Sequence, residues 1–207
     1  MLSGPFLLNF VLLLSECHTH FTHRFLQCAK SAERVYHLSV AYGIYDEDSG
    51  LEFASEKGYL GTVKFLVTKR GTNIHANNDH VLRWASKHGR LGVVVFLIRS
   101  GADVHAQNDE SLKVASVRGH LGVVKYLVGV GADVHAEDDY ALRWASKNGH
   151  LEVIKYLVES GANIHTKDDQ ALNWALKKDH MEVVKYLIGK GADVHREWWW
   201  PGGGPLV

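Results

Sequence analysis

The 207-residue sequence has no surplus of charge of either sign, because 23 lysines and arginines balance 23 aspartates and glutamates. A neutral chain lacks the basic surface on which nucleic-acid binding depends, so we predict no nucleic-acid partner. Only two cysteines occur, Cys17 and Cys28. That number excludes a disulfide-built secreted scaffold and fits a reducing compartment.

Proline is scarce as well, and its three copies are Pro5, Pro201 and Pro205. The long stretch between them therefore contains nothing that breaks a helix outright. The main apolar run, residues 5–14, is too short for a membrane span, which takes about 20 residues. It has the length of a signal-peptide core, but no Lys or Arg precedes it and residues 15–17 form a poor cleavage site. We therefore predict a cytoplasmic protein that is neither secreted nor anchored in a membrane.

The sequence is dominated by an internal repeat of 30 residues. Four copies follow one another without a gap: residues 71–100, 101–130, 131–160 and 161–190. A further copy starts at Gly191 and stops at His195, and a worn earlier copy over residues 51–67 has one extra residue before Gly71. A period of this length is typical of solenoids, whose units are stable only when they are stacked.

Each copy predicts two short helices that are joined by a glycine turn. In residues 131–160, apolar side chains recur three or four positions apart along both segments. Gly149 separates the segments and Gly161 ends the second, because glycine adopts the left-handed conformation that such turns need. An aspartate precedes each first helix, where we expect it to act as the N-cap. These aspartates are Asp79, Asp109, Asp139 and Asp169.

The copies resemble the ankyrin repeat. Residues 131–136 (GADVHA) and 149–158 (GHLEVIKYLV) are similar to the family's G-A-D-V-N-A and G-H-L-E-V-V-K-L-L-L, and the likeness extends over roughly 150 residues. The resemblance implies an all-α ankyrin-repeat solenoid of about five helix-turn-helix units. Because the period is 30 rather than 33 and the T-P-L-H start is missing, we expect the hairpin finger to shrink to a short turn. The 30-residue form is similar to the ankyrin arrays of giant DNA viruses of amoebae.

This pattern divides the chain into three parts. Residues 41–195 form the array, and residues 1–40 form an N-terminal segment that either caps it or holds a degenerate repeat. Residues 196–207, with three consecutive tryptophans, fit no repeat and form an irregular tail. The tail either covers the last apolar face of the array or marks a truncated reading frame. We expect a monomer.

Histidine is abundant, and eight of its 14 copies recur at two positions of the repeat. One ladder consists of His75, His105, His135, His165 and His195, and the other of His120, His150 and His180. Histidine titrates near neutrality, so a ladder could act as a pH sensor. We favour the simpler interpretation that one turn-stabilising hydrogen bond is copied with each repeat.

Two further groups admit a functional interpretation. The N-terminal cysteines and histidines have the ligand types that zinc prefers, but their spacing matches no common zinc module, so we predict no metal and no cofactor. They are Cys17, His18, His20, His23 and Cys28. Trp84, Trp144 and Trp174 share one repeat position and could form an aromatic recognition strip. We interpret them instead as packing in the core between repeats.

The residues that differ between copies are free to specify a partner, whereas the constant ones build the scaffold. Three variable columns lie at the finger turn and at the start of the first helix, positions that line the concave groove of ankyrin proteins. We therefore predict partner contacts at these positions, although the columns would also drift if they were merely solvated. The predicted residues are Asn77, His80, Arg83, Gln107, Glu110, Lys113, Glu137, Tyr140, Arg143, Lys167, Gln170 and Asn173.

No motif of a hydrolase, a nucleotide-binding loop or a metalloprotease is present in the sequence. We predict a non-enzymatic protein–protein interaction module, encoded by a virus, that binds a host or viral protein through the groove in the cytoplasm of its host. Two alternatives stay open. One is a metal- or pH-responsive protein that uses the histidine-rich N-terminal segment, and the other is a decayed gene product without a selected partner.

Overall fold

The computed structural model describes residues 47–194, and every regular element in this range is helical. The ten helices are α1 (Glu47–Lys57), α2 (Leu60–Phe65), α3 (Ala76–Lys87), α4 (Leu91–Arg99), α5 (Ala106–Val117), α6 (Leu121–Gly129), α7 (Ala136–Lys147), α8 (Leu151–Glu159), α9 (Thr166–Lys177) and α10 (Met181–Gly189). The N-terminal cysteine and histidine cluster, His195 and the tryptophan-rich tail lie outside the described residues.

The helices pair into five units, each made of an odd-numbered first helix and the even-numbered second helix that comes after it. Neighbouring first helices pack closely along the array, and neighbouring second helices lie further apart. For residues 47–194 the predicted all-α solenoid of five helix-turn-helix units is confirmed, with short turns where the longer ankyrin repeat has a hairpin. We refer to these pairs as units 1 to 5 in chain order.

One continuous core runs through all five units. Each first helix contributes a fully buried leucine, and so does each second helix, where in unit 1 the leucine directly follows α2. Fully burying such a side chain stabilises the fold by roughly 1.5–3 kcal/mol. The leucines are Leu51, Leu66, Leu82, Leu97, Leu112, Leu127, Leu142, Leu157, Leu172 and Leu187. Fully buried alanines at one position of the first helices, such as Ala115 and Ala145, let these helices approach closely. Because each face is shared with a neighbour, no unit completes its core alone.

The extra residue in the first copy is absorbed by a π-helical turn. Helix α2 continues into five π-helical residues, Leu66–Arg70, before it ends at the left-handed Gly71. In unit 1 the amide of Thr72 bonds the carbonyl of Leu66, six residues back, whereas in unit 2 Ala102 bonds Leu97, five residues back. A π turn is the expected way for a helix to accommodate one inserted residue without changing the register of the next repeat.

The turn between the two helices of a unit carries a hydrogen bond to the preceding unit. Nε2 of His120 donates to the carbonyl of Lys87 at 3.0 Å, and His150 and His180 make the same bond one and two units further on, at 2.9 and 3.0 Å. In unit 2 an arginine takes this role, since Nε of Arg90 donates to the carbonyl of Glu56 at 2.8 Å. The second histidine ladder therefore joins units rather than stabilising a turn within one.

Each of these histidine rings lies against a glycine of the preceding unit. A Cβ added to Gly119 would come within 2.6 Å of His150 Nδ1, and the same contact for Gly89 and His120 would be 2.7 Å. Both glycines have left-handed backbones, with φ of 76° and 69°. Burial in this contact lowers the pKa of His120, although the bond to the Lys87 carbonyl raises it in part. Glycine is thus required here by conformation and by space.

Replacing Gly119 by alanine should therefore destabilise the array. The left-handed backbone costs a residue with a Cβ roughly 1–2 kcal/mol, and displacing the His150 ring adds to this, so we expect a loss of about 2–4 kcal/mol in the free energy of unfolding. The control is Gly122→Ala, because Gly122 lies in helix α6 and its Cβ would meet only Leu91 Cδ2 at an ordinary 3.6 Å. Urea unfolding of both variants tests this, and equal losses would contradict it.

Candidate partner-binding face

Each of units 2 to 5 begins with three consecutive residues in the left-handed region. In unit 3 they are Gln107, Asn108 and Asp109, with φ of 53°, 54° and 57°. Asparagine and aspartate tolerate this conformation better than most residues do. The second of the three residues is Asn or Asp in all four units and the third is always Asp. We call this segment the left-handed turn, and the right-handed part of the first helix starts after it.

The third residue of the left-handed turn links neighbouring units. In unit 3, Oδ1 of Asp109 accepts a hydrogen bond from Nδ1 of His105 at 3.1 Å and another from the backbone amide of Asp133, in the next unit, at 3.0 Å. The same pair of bonds recurs at Asp79 and Asp139. These aspartates are buried, with about 5% of their surface exposed.

The N-cap prediction for these aspartates is wrong, and the first histidine ladder is explained. In Asp79, Asp109 and Asp139 one oxygen, Oδ1, accepts from a histidine of the same unit and from a backbone amide of the next unit, and neither bond is to an amide of the first helical turn. Sequence spacing places an aspartate before the helix but does not reveal that its backbone is left-handed. In each of these histidine–aspartate bonds the imidazole donates from Nδ1 and the carboxylate oxygen accepts.

One column of predicted contact residues stabilises the left-handed turn by donating hydrogen bonds to its backbone carbonyl groups. This third column consists of Arg83, Lys113, Arg143 and Asn173. Nη2 of Arg83 donates to the carbonyl of Asn77 at 2.8 Å, and Nε of Arg143 donates to that of Asp138 at 2.7 Å. Lys113 and Asn173 make the equivalent bonds in units 3 and 5. Lys113 and Arg143 are only 3% and 6% exposed. Different side chains in this column therefore serve the same structural purpose.

The other two columns lie at the surface. The first column, which opens each left-handed turn, is exposed in every unit, and the second column is half-buried. The first column consists of Asn77, Gln107, Glu137 and Lys167, and the second of His80, Glu110, Tyr140 and Gln170. Together with the exposed edges of the first helices they form one surface, which we call the first-helix face.

Polar contacts cross the first-helix face from unit to unit. Nδ1 of His80 pairs with Glu52 at 2.8 Å, Lys167 pairs with Asp138 at 3.0 Å, and Arg143 donates to Gln170. Lys113 bridges Glu110, at 2.9 Å, and Glu137.

Two titrating groups respond to this environment. Burial alone would lower the pKa of Lys113, but its hydrogen bonds to Glu137 and Glu110 outweigh that effect and raise it. Burial and the neighbouring Glu110 charge raise the pKa of Tyr140. Lys113 therefore keeps its charge, and Tyr140 remains neutral, throughout the physiological range.

The tryptophans lie on this face and not in the core, so the interpretation of them as inter-repeat core is wrong. Trp84, Trp144 and Trp174 are half-buried. The Trp144 ring packs edge-on against Trp174, with centroids 5.1 Å apart, and stacks on Tyr140 at 5.3 Å. The ammonium of Lys147 lies 3.8 Å from the Trp144 centroid. Aromatic side chains that are rigid and partly solvated are typical of interaction surfaces.

The lysines that accompany these rings lie in a fourth variable column, Lys87, Val117, Lys147 and Lys177, which the predicted set of partner contacts does not include. Lys87 lies 4.4 Å from the centroid of Trp84, and Lys147 lies over Trp144 and within 5.0 Å of the Trp174 centroid. The signal was available, because in both cases a lysine follows a tryptophan by three residues, which places the two on one helix face. Lys147, Trp144 and Trp174 thus form a patch of indole and ammonium groups on units 4 and 5, and Lys87 and Trp84 form a similar pair on unit 2.

Neither a metal site nor a membrane span is found in the part of the chain that the structure describes. Over residues 47–194 no group of three or more His, Cys, Asp and Glu side chains is arranged to hold a metal ion. In the same range no helix combines the length and the apolar character needed to cross a bilayer.

Comparison with known families identifies the fold. The family model for ankyrin repeats in three copies matches residues 51–138 and again residues 112–197, so the two matches together cover well over half of the chain. The protein therefore belongs to the ankyrin-repeat family. A comparison with curated proteins found no match.

Removing the Asp109 carboxylate should weaken the joint between units 3 and 4. Asp109→Ala leaves the His105 ring and the partly buried Asp133 amide without their acceptor, and we expect a loss of about 2–3 kcal/mol in the free energy of unfolding. Asn108→Ala is the matched control, because Asn108 has the same left-handed backbone but is exposed. Urea denaturation compares the two variants. A loss for Asn108→Ala as large as that for Asp109→Ala would show that backbone conformation, not the bond between units, causes the effect.

Proposed function

We propose that this protein is a non-enzymatic protein–protein interaction module that binds a partner protein through its first-helix face. The proposal rests on the observation that constant positions of the repeat build the joints between units, whereas the variable positions of the first and second columns lie at the surface. The hydrogen bonds that recur at each joint of units 2 to 5 use aspartates and histidines at constant positions. The exposed first column instead presents four different side chains in four units, and only Glu137 and Lys167 among them form ion pairs with a neighbouring unit. Such a surface can be changed without loss of the fold, which is what a recognition surface requires.

The contact set centres on units 4 and 5. Tyr140, Trp144 and Trp174 give a rigid aromatic centre, and Lys147 adds a cation held over two rings. Aromatic and cationic groups in a half-buried setting have the character of binding hot spots. The exposed first-column residues form the polar rim on one side of this centre. Arg83, Lys113, Arg143 and Asn173 contribute indirectly, because they fix the carbonyl groups of the left-handed turn.

The mixed charge of the face favours a folded protein as the partner. Its exposed first column includes an acidic residue, Glu137, and a basic one, Lys167, and its carboxylates are interleaved with ammonium groups. A nucleic acid would instead require a continuous basic stripe. We propose that the partner is a host or viral protein met in the host cytoplasm, and that the chain is virus-encoded. The 30-residue period supports the viral part of this proposal.

Affinity capture with the full chain tests the proposal. The bait is compared with a face variant in which His80, Glu110, Tyr140, Gln170 and Lys147 are all changed to Ala; Arg143 is kept because it holds the turn. We expect a partner whose captured amount falls about tenfold or more in the face variant, since hot-spot truncations cost roughly 2 kcal/mol or more.

A matched control separates recognition from charge and folding. Five exposed polar residues outside the first-helix face are changed to Ala instead: Arg99, Lys125, Glu152, Glu182 and Lys185. This control variant should retain the partner, and both variants should keep the helical circular dichroism of the parent. A partner that both baits retain equally would contradict the proposal, because its contacts would then lie outside the first-helix face.

A further inference from the structure

The last described unit differs from units 2 to 4 at the residue against which the histidine ring of a following unit packs. In units 2 to 4 this position is glycine, namely Gly89, Gly119 and Gly149, and the histidine ring of the next unit lies on it. Unit 5 has Asp179 there, also with a left-handed backbone at φ 59°. A histidine ring in the same place would meet the Asp179 Cβ at the 2.6–2.7 Å seen for the glycines, which is shorter than any tolerable contact.

A second departure lies on the same side of unit 5. Units 1 to 4 have a fully buried serine near the end of the first helix: Ser55, Ser86, Ser116 and Ser146. Unit 5 has Leu176 at this position, and Leu176 is half-buried rather than buried. Four buried serines indicate that the site has no room for a larger side chain once another unit is stacked on it. Both substitutions disfavour the stacking of another unit of the same kind on unit 5.

Beside the exposed Asp179, this side of unit 5 also presents apolar side chains to solvent. Ile188 is 45% exposed, whereas its equivalents Ile98, Val128 and Val158 are half-buried. Val194 is 36% exposed, whereas of its equivalents Ile74 and Val134 are buried and Val104 and Ile164 are half-buried. Terminal units of repeat arrays need a cover or a polar outer surface to remain soluble. Leu176, Ile188 and Val194 provide no polar surface, and we call these three residues the terminal face.

We propose that residues 196–207 of the same chain cover the terminal face, with Trp198, Trp199 and Trp200 as the covering side chains. The segment starts two positions after Val194, which itself belongs to the terminal face. The four residues from Val194 to Trp198 span up to about 14 Å, more than the roughly 10 Å diameter of a helix. Each tryptophan can bury about 150–250 Å². The sequence of the segment, with Pro201 followed by three glycines, lacks the pattern of the first helices in units 1 to 5.

A double-mutant cycle on the full chain tests this assignment. The variants are Ile188→Ser, the tail variant Trp198→Ser/Trp199→Ser/Trp200→Ser, and their combination, each subjected to urea unfolding. If the tail covers Ile188, either change alone lowers the folding equilibrium constant by roughly tenfold, and the combination is little worse than the tail variant by itself. Leu91→Ser is the control, since Leu91 is 40% exposed on α4 and should cost the same in both backgrounds.

If a variant of the double-mutant cycle fails to fold, tryptophan fluorescence provides an independent test of the assignment. In Ile188→Asp, a charge on the terminal face should displace the tryptophans and raise acrylamide quenching of tryptophan emission, whereas Leu91→Asp should not. An Ile188→Ser loss of equal size in both backgrounds would overturn the assignment. So would a dimer, by light scattering, that Ile188→Ser dissociates and the tail variant leaves intact, because a second copy would then cover the face. Neither outcome affects the partner-binding proposal, which concerns the first-helix face.

Discussion

The structure depends on hydrogen bonds from the side chains of one unit to the backbone of its neighbour, which no unit can make alone. In units 2 to 4 a carboxylate at the end of the left-handed turn accepts a hydrogen bond from a backbone amide of the next unit, as Asp109 does from Asp133 at 3.0 Å. On the other side of the first helix, a histidine donates to the helix-end carbonyl of the preceding unit, as His150 does to Val117 at 2.9 Å. The buried leucines supply most of the stabilisation, but apolar burial is non-directional. These two bonds fix the register at which the units stack.

This arrangement explains which surface is left for recognition. In each left-handed turn a backbone carbonyl group accepts a hydrogen bond from a side chain of the third column, which is Arg83, Lys113, Arg143 or Asn173. In units 2 to 4 the third residue of the turn makes the bond between units. The first two residues of each turn and the edge of the first helix remain exposed, and of the two turn residues the first varies most in chemistry. The exposed side chains of the turn that differ from copy to copy therefore lie on one face, and the aromatic and lysine patch of units 4 and 5 lies on that face.

The sequence predicts the fold well because its information is repeated. The 30-residue period, the glycine turns and the apolar stripes recur in each copy and specify helix pairs and their number, and one inserted residue before Gly71 appears as a π-helical turn. The candidate site is predicted less well. Variation between copies does not distinguish Arg143, which supports a turn, from Tyr140, which is half-buried at the surface. Likewise, the shared position of Trp144 and Trp174 does not say whether a large ring is buried, because that depends on contacts between units far apart in sequence.

The most direct measurement removes both bonds from one joint, between units 3 and 4, with Asp109→Ala and His150→Ala in the same chain. We predict that the two parts of the array then unfold separately, as two urea transitions or as one with a markedly smaller slope, while Asn108→Ala/Lys125→Ala retains a single transition with the parent slope. A single transition of unchanged slope in the Asp109→Ala/His150→Ala variant would contradict the central role of these bonds, since apolar packing alone would then suffice to couple the units.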